Sequence, residues 1–524
     1  MDAEEVNEPW DGLPVCVAGL GVSGRAAARV LAARGARVTA VDARDGDEQR
    51  AHAAELEARG VTVRLGDGES LPEGTGLVVT SPGWRPDTPL LAAAAAAGIE
   101  IIGEVELAWR LRGPDAAPWL AITGTDGKTT VVRMLACMLT AAGRKALAVG
   151  NVGTPIVEAI GGSGGSSQQY DVLAVELSSY QLHWSSSLAP WAAVVLNVAP
   201  DHLDWHGSMD AYVGAKGKIY AGCEVAVYNA DDDTSAALAE RAEGVGRRAG
   251  FTLRVPRPGE LGVVAGLLVD RAFPVDPPAE HRRGSGEALA GETLPAGGPL
   301  TGPGTDPAAS AAELAALADV HPYAPHNVAN ALAAAALARA FGVPPEAVRE
   351  GLRSFVPDPH RIQHVADVAG VAYVNDSKAT QPHAAAASLA AYESVVWIAG
   401  GLLKGLDVDD LVRSCAERLR GAVLMGRDRH RLAEALARHA PDVPVVDVSD
   451  TDTGAMQRVV SEAAALARPG DTVLLAPVGA SFDMFANYPA RGDAFIAAVE
   501  RLAAAPAAAD ARPAGPGNAP RNPR

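Results

Sequence analysis

Lysine is scarce in this chain. Of its 45 lysine and arginine residues only six are lysine, at positions 128, 145, 216, 218, 378 and 404. Cysteine is scarcer still: Cys16, Cys137, Cys223 and Cys415 lie far apart with no CxxC pair. That spacing argues against a zinc or disulfide framework and suits a reducing cytosol. No uninterrupted apolar run approaches the ~20 residues of a membrane-crossing helix. The alanine-rich runs at 90–97 and 331–340 are short and read as buried helices. The first ten residues are acidic and carry no apolar h-region, so no secretory signal and a cytoplasmic location are expected. Positive charge is also lacking. Sixty-three acidic residues give a net charge of −18, which argues against a general nucleic-acid binder and leaves small nucleotides as the partners of any phosphate cradle.

The shortage of lysine is informative. A chain that favours arginine this heavily keeps lysine where a compact point charge, or an amine whose chemistry can change, is required. The length of 524 residues suggests about three domains.

Four stretches carry chemistry. The first is Gly124-Thr125-Asp126-Gly127-Lys128-Thr129-Thr130. It follows the apolar run 119–122 and precedes a helix-patterned run, 131–141. Strand, glycine-rich turn and helix start together build a phosphate cradle, with backbone N–H groups and the helix dipole aimed at one spot. Lys128 adds a charge there, and Thr129 or Thr130 a hydroxyl for Mg²⁺. A full P-loop needs glycine at position 122, which is isoleucine, so the match is to a shortened form. The bland alternative is an ordinary strand–turn–helix corner.

The second stretch is Gly19-Leu20-Gly21-Val22-Ser23-Gly24, after the apolar strand 15–18, with a helix expected over 25–34 and a strand ending on Asp42. This is a dinucleotide fingerprint with an acid about twenty residues on. Further β/α units follow to about residue 102, with Ser81-Pro82-Gly83 at a strand's carboxyl end.

The third comprises two apolar strands, 172–175 and 192–196. They end in Glu176-Leu-Ser178-Ser179-Tyr180-Gln181 and in Asn197 through Asp201-His202-Leu203-Asp204. Parallel strands would bring both clusters to the phosphate-loop edge. Glu176 reads as a metal ligand or a helix-capping carboxylate. His202 reads as a metal or phosphate contact or a plain turn histidine. Lys216, on a helix expected over 208–220, is either solvated or, once carbamylated, an anion able to hold metal. Asn327 and Asn330, one helical turn apart, could read a base edge or cap the helix they open. A hairpin is expected over 259–269, and a loop or disordered insertion over about 274–309.

In the fourth, strands 371–374, 395–398 and 472–475 end in Asn375-Asp376-Ser377-Lys378-Ala379-Thr380, in Ala399 through Lys404, and in Ala476 through Asp483. Polar groups at these carboxyl ends, two lysines among them, suit an anionic, amino-acid-sized substrate.

Assembled, these elements resemble the Mur ligases of peptidoglycan synthesis. The resemblance covers nearly the whole chain apart from the first dozen residues, the insertion and the tail. Gly124–Thr130 match the family's G-T-x-G-K-[ST]-[ST], Glu176–Leu182 its E-x-S-S-[FY]-Q-L, and Asp201–Asp204 its D-H-x-D. Ala215-Lys216 ahead of Ile219-Tyr220, His326–Asn330 and Pro359-His360-Arg361 match further family elements. The N-D-S-K-A-T of 375–380 is similar to the version found in the branch that adds D-glutamate.

The resemblance implies an α/β fold of three domains. These are a Rossmann-like UDP-binding domain over 1–103, a central P-loop ATPase-type domain over 104–357, and a C-terminal Rossmann-like domain over 358–503, before a disordered tail at 504–524. It implies an ADP-forming ligase that uses ATP and two Mg²⁺ ions to join D-glutamate to UDP-N-acetylmuramoyl-L-alanine through an acyl phosphate. Such a chain would be monomeric, cytoplasmic, not membrane-inserted and free of nucleic acid. Gly21, Val22, Ser23, Asp42 and Arg44 would bind the UDP moiety and Asn151 the muramoyl-alanine. Gly124 to Thr130, with Asn330, Arg361 and Asp376, would bind ATP. Thr129, Glu176, His202 and a carbamylated Lys216 would hold metal. Lys378, Thr380, Lys404, Ser481 and Tyr488 would serve the acceptor amino acid. Lys128, His202, Asp204 and Lys216 would carry the chemistry, with His202 or Asp204 taking the amine's proton.

Three departures stand out: Gln381 where asparagine often follows the N-D-S-K-A-T, Tyr488 for a common phenylalanine, and Ala43 for a hydroxyl residue. Rival readings are a ligase for another amino acid, a folylpolyglutamate-type ligase and a non-catalytic nucleotide sensor.

Overall fold

The structure is a computed structural model that describes residues 10–113, 115–160, 169–273, 311–450 and 454–504. The expected insertion at 274–309 lies outside the described residues, as does the expected tail beyond Ala504.

Three sheets organise the chain. The first holds β1 (Pro14–Ala18), β2 (Arg37–Asp42), β3 (Thr62–Leu65), β4 (Leu77–Thr80) and β5 (Glu100–Gly103). It is wholly parallel, in the order β3-β2-β1-β4-β5. β1 and β4 are apolar on both faces because helices cover both sides of a parallel sheet.

The second sheet holds nine strands. They are β6 (Trp119–Thr123), β7 (Ala146–Gly150), β8 (Val172–Glu176), β9 (Ala192–Val195), β10 (Val225–Asn229), β11 (Arg247–Phe251), β12 (Glu260–Val264), β13 (Leu267–Asp270) and β14 (Ala312–Ala316). Their order is β14-β13-β12-β11-β10-β9-β6-β8-β7. β8, β6 and β9 are parallel neighbours, so the polar clusters after them share one edge, as the spacing predicts. β12 and β13 form the expected hairpin. Their two-residue turn, Ala265-Gly266, has φ of 49° and 81°, the left-handed pair that a tight hairpin demands.

The first two sheets do not stand apart. Residues up to Val356 form one compact unit. Val105 and Leu107 of the helix Glu104–Leu111 share a buried cluster with Ile156, Val157 and Leu182 from the second-sheet region. A second unit starts at Pro357. It holds β15 (Gln363–Val368), β16 (Val371–Asn375), β17 (Val395–Gly400), β18 (Leu419–Met425), β19 (Val445–Asp447) and β20 (Thr472–Val478). The order is β15-β16-β20-β17-β18-β19, with only β15 antiparallel. Among the described residues no helix is long and apolar enough to cross a membrane.

Several element boundaries differ from expectation. The phosphate-loop helix starts at Lys128, and the helix that Asn327 and Asn330 are expected to open or cap starts before them, at Pro325, with Ala324 at its N-cap. The first helix starts at Val22 and not Arg25, because Gly21 already accepts the Arg25 amide. The helix expected over 208–220 is α-helical only over Met209–Gly217 and tightens into a 3₁₀ turn at Lys218–Tyr220.

Candidate functional site

The phosphate loop leaves β6 and enters the helix Lys128–Ala141 through Gly127, whose φ is +80°. A Cβ there would also fall 2.3 Å from Asn330 Oδ1, so glycine is required twice over. The loop is held by its neighbours. Asn197 Oδ1 accepts the Thr125 and Asp126 amides at 3.1 and 2.9 Å. The Thr125 hydroxyl meets the Tyr212 hydroxyl at 3.0 Å. Lys128 Nζ donates to the Gly124 and Thr125 carbonyls at 3.0 and 2.8 Å, and Lys216 Nζ donates to that same Gly124 carbonyl at 2.7 Å. Two of the six lysines thus converge on one oxygen. Lys216 is 2% exposed and its ammonium sits 4.6 Å from the Tyr212 ring centre. Burial, with the Lys128 charge second, pushes its pKa well below the usual lysine value. Thr129 and Thr130 open the helix, half-buried. Asn330 Nδ2 donates to Asn327 Oδ1 at 3.1 Å, so the two amides brace each other against the loop.

Beside the loop, Glu176 ends β8, 1% exposed. Asn151 reaches it twice, donating its backbone N–H to the Glu176 carbonyl and its Nδ2 to Oε1, each at 2.9 Å. Glu176 Oε2 is buried with no hydrogen-bond partner. The capping alternative for Glu176 is removed: the following helix is capped by Ser178, which accepts the Gln181 amide while Gln181 Oε1 accepts the Ser178 N–H.

His202 lies in left-handed backbone, φ 54°, with Nε2 3.2 Å from Asp201 Oδ2. Burial lowers its pKa, and Lys128 and Lys216 push the same way, against Asp201. Asp204 is exposed, and its carbonyl accepts Arg85 Nη1 at 2.7 Å. Tyr180 packs 4.9 Å from the His202 ring and stacks on His206.

The first sheet's turn is a separate cluster. Asp42 accepts the Leu20 amide at 2.8 Å, the Arg44 amide at 2.9 Å and the Arg44 guanidinium at 3.1 Å. Burial alone would raise its pKa, but these bonds, Arg44 first, hold it below the usual carboxylate value. Gly21 and Ser23 are half-buried and Val22 is 60% exposed at the turn.

In the second unit Asp376 accepts the Ser388 hydroxyl, and the Ile362 amide at 3.4 Å. Lys378 Nζ lies 4.1 Å from the Tyr488 ring centre. Arg361 is 3.8 Å from Asp358, and the Thr380 amide donates to the Lys378 carbonyl at 2.8 Å. The loops after β17 and β20, which carry Lys404 and Ser481, pair through Leu402 and Ala480. Lys404 is exposed with φ 52°, whereas Ser481 is buried.

Sequence reasoning gave no role to three residues. Asn197 and Tyr212 hold the phosphate loop. Asn197 is legible as the first polar residue after an apolar strand beside that loop, but its pairing with the loop amides is not. The third, Arg491, is 1% exposed and donates to the Ser377 hydroxyl, the Ser377 carbonyl and the Gly479 carbonyl at 3.0, 2.9 and 3.0 Å. Its signal was its place on the apolar stripe of its helix, in register with Phe495, Ala498 and Val499.

Comparison with known proteins gives three family matches. Residues 14–103 match the Mur ligase MurD-like N-terminal domain, 122–252 the Mur ligase middle domain, and 360–479 the Mur ligase glutamate ligase domain. Proteins named UDP-N-acetylmuramoylalanine–D-glutamate ligase are 60% identical in Streptomyces avermitilis and 59% in Thermobifida fusca, each match covering 94% of this chain and 99% of the relative. The one from Mycolicibacterium smegmatis is 47% identical, over 93% of this chain and 96% of its own. Among solved structures the fold is similar to MurF from Acinetobacter baumannii, with a TM-score of 0.51 at 18% identity, covering 84% of this chain and 87% of that one. It is also similar to UDP-N-acetylmuramate–alanine ligase from Thermotoga maritima, with a TM-score of 0.50 at 16% identity, covering 94% and 99%.

Proposed function

The chain belongs to the Mur ligase family, and on that premise we propose that it joins D-glutamate to UDP-N-acetylmuramoyl-L-alanine, with ATP converted to ADP and phosphate. The relatives at about 60% identity carry that activity in their names. The observation within the chain that best supports ligase chemistry is the convergence of Lys128 and Lys216 on the Gly124 carbonyl, with Lys216 buried and its pKa lowered.

The alanyl carboxylate is a poor acyl donor, so its oxygen takes the γ-phosphoryl group of ATP and ADP leaves. Lys128 and the loop amides are suited to the charge that develops on the phosphoryl group. The amine of D-glutamate, once deprotonated, attacks the acyl carbon and phosphate leaves. His202, whose lowered pKa keeps it neutral near pH 7, is suited to receive the amine's proton, with Asp204 a second acceptor. Lys378 and Lys404 are suited to glutamate's carboxylates. Gly21, Val22, Ser23, Asp42 and Arg44 would take the uridine diphosphate end, and Asn151 the muramoyl-alanine.

Mur ligases use Mg²⁺ as well as ATP, and the residues present fit it. Glu176 Oε2, buried without a hydrogen-bond partner, is a carboxyl oxygen open to a ligand. Among the described residues no group of three or more His, Cys, Asp or Glu forms a closed cage. Mg²⁺ keeps few protein ligands and completes its shell with phosphates and water. Thr129, Glu176, His202 and Lys216 as carbamate would hold two ions, and bound Mg²⁺ would neutralise phosphate charge. The carbamate would form when neutral Lys216 Nζ attacks CO₂: an N–C bond forms, one C=O π pair moves onto oxygen, and Nζ loses a proton to water.

Phosphate release from ATP, measured with UDP-N-acetylmuramoyl-L-alanine and a panel of L- and D-amino acids, tests the reading. D-glutamate should be the one efficient acceptor. Turnover with a different amino acid, or with a folate and not the UDP-sugar, would replace this assignment. ATP binding without phosphate release for any acceptor would make the chain a sensor.

A further inference from the structure

The helix Glu104–Leu111 carries two buried carboxylates that the reaction does not use. Glu104 is 2% exposed and Glu106 is fully buried. Neither reaches the phosphate loop. Each reaches across from the end of the first sheet to a connection of the second.

Glu106 takes the connection after β8. Its Oε2 accepts the Ser186 and Ser187 amides at 2.9 and 3.1 Å, its Oε1 accepts the Ser187 hydroxyl at 2.6 Å, and Arg110 Nε donates to it at 2.8 Å. Burial opposes its charge, but these donors outweigh burial and hold it down at about 2. Glu104 takes the connection after β7. Its Oε1 accepts the Val157 amide at 2.7 Å, in the first turn of the helix Ile156–Ile160. Its Oε2 is buried without a hydrogen-bond partner. Among the described residues no cation pairs with Glu104, and the charge that weighs on it is that of Glu158, itself paired with Arg29.

The segment that Glu104 grips is short. Five residues before Ile156 stands Asn151, which holds Glu176 through backbone and side chain. Gly150, the last residue of β7, would place a Cβ 2.2 Å from the Glu176 carbonyl, so the two strand ends are in close contact there. The segment from Gly150 to Val157 is held at one end by Glu176, at the other by Glu104, and between them by the Gly150 amide donating to the Thr154 carbonyl at 3.3 Å. At the Glu104 end Ile156 and Val157 are also fully buried, so Glu104 is its polar anchor, and loss of Glu104 would loosen the turn that aims Asn151.

We infer that Glu104 is a positioning residue: from the first sheet's last helix it fixes the Gly150–Val157 segment and so sets Asn151 against Glu176 and the muramoyl-alanine. The inference rests on the reading that Asn151 serves that substrate. Buried hydrogen bonds of this kind are costly to break because the abandoned amide stays dry.

The test is steady-state kinetics with full-length protein. Glu104→Ala should raise KM for UDP-N-acetylmuramoyl-L-alanine about tenfold and leave KM for ATP within about twofold. Glu104→Gln, which keeps the acceptor oxygen, should restore both. Combined with Asn151→Ala, Glu104→Ala should add nothing, because both act on one contact. If the alanine variant does not fold, Glu104→Asp, with its acceptor drawn back by one methylene, should give the same selective rise on a smaller scale. An unchanged KM for the UDP-sugar, an equal rise for both substrates, failure of glutamine to rescue, or full additivity would each overturn the inference. Asn151→Ala with unaltered kinetics would instead overturn the site reading beneath it.

Discussion

The chain contains two strand–glycine turn–helix corners, at 18–24 and 123–130, and they solve different problems. In the first, the glycines serve close packing: a Cβ on Gly24 would lie 1.8 Å from the Gly19 carbonyl. Its one anion, Asp42, is saturated by Leu20 and Arg44, and no lysine is near in sequence. In the second, glycine admits Asn330 to the loop and two lysines gather on one carbonyl. On the proposed function, the first corner would bind through shape and fixed dipoles, and the second would stabilise charge that appears during reaction. The same strand–turn–helix grammar therefore does not say which job a corner does; the side chains brought in from elsewhere do.

The comparison can be broken most severely at Lys216. Lys216→Arg should abolish phosphate release, because a guanidinium stays charged and does not form a carbamate. Near-normal activity would remove the second corner's distinction. Lys128→Ala should cost about 10²–10³ in kcat, the loss that accompanies removal of a comparable transition-state donor. A change confined to KM for ATP would make Lys128 a binding group only.

Smaller effects belong to the first corner. Gly24→Ala should destabilise by about 1–3 kcal/mol, as overpacking against backbone does, and raise KM for the UDP-sugar with kcat preserved. Thermal melts and kinetics check both halves, and an unaltered melting temperature would contradict the close-packing account.

Asp42→Asn should show the smallest change, read as a pH dependence. The folded pKa of Asp42 is lowered, so its stabilisation is present above the ordinary value of 3.8 and is lost as pH falls through the depressed one. The melting-temperature gap between parent and variant should therefore be widest near neutrality and close in acid. A gap independent of pH would mean that Asp42 acts through shape and not charge.

Much of this was legible in the residues. Apolar runs ending in polar clusters located β6, β8, β9, β16, β17 and β20, because parallel strands buried on both faces are nearly continuous in hydrophobicity. The glycine-rich loop marked Lys128, and the family resemblance, beside the scarcity of lysine, marked Lys216. Arg491 was not read, although it holds Ser377 and Gly479 together, because a buried arginine breaks the rule that apolar stripes carry apolar residues. Glu104 and Glu106 were missed for a related reason. Two acids at the start of a helix satisfy the helix dipole and look complete in one dimension.

The sequence by itself determined the elements, the glycine positions and the chemistry available at each strand end, since these depend on local sterics and on short-range periodicity. Tertiary structure decided which groups meet. It drew Lys216 to the carbonyl that Lys128 already held, gave Glu176 one amide partner and left its other oxygen bare. It also fused the first two sheets into a single unit through the helix Glu104–Leu111. Those outcomes turn on contacts between residues tens of positions apart, and their energies come from burial that no single stretch of chain contains.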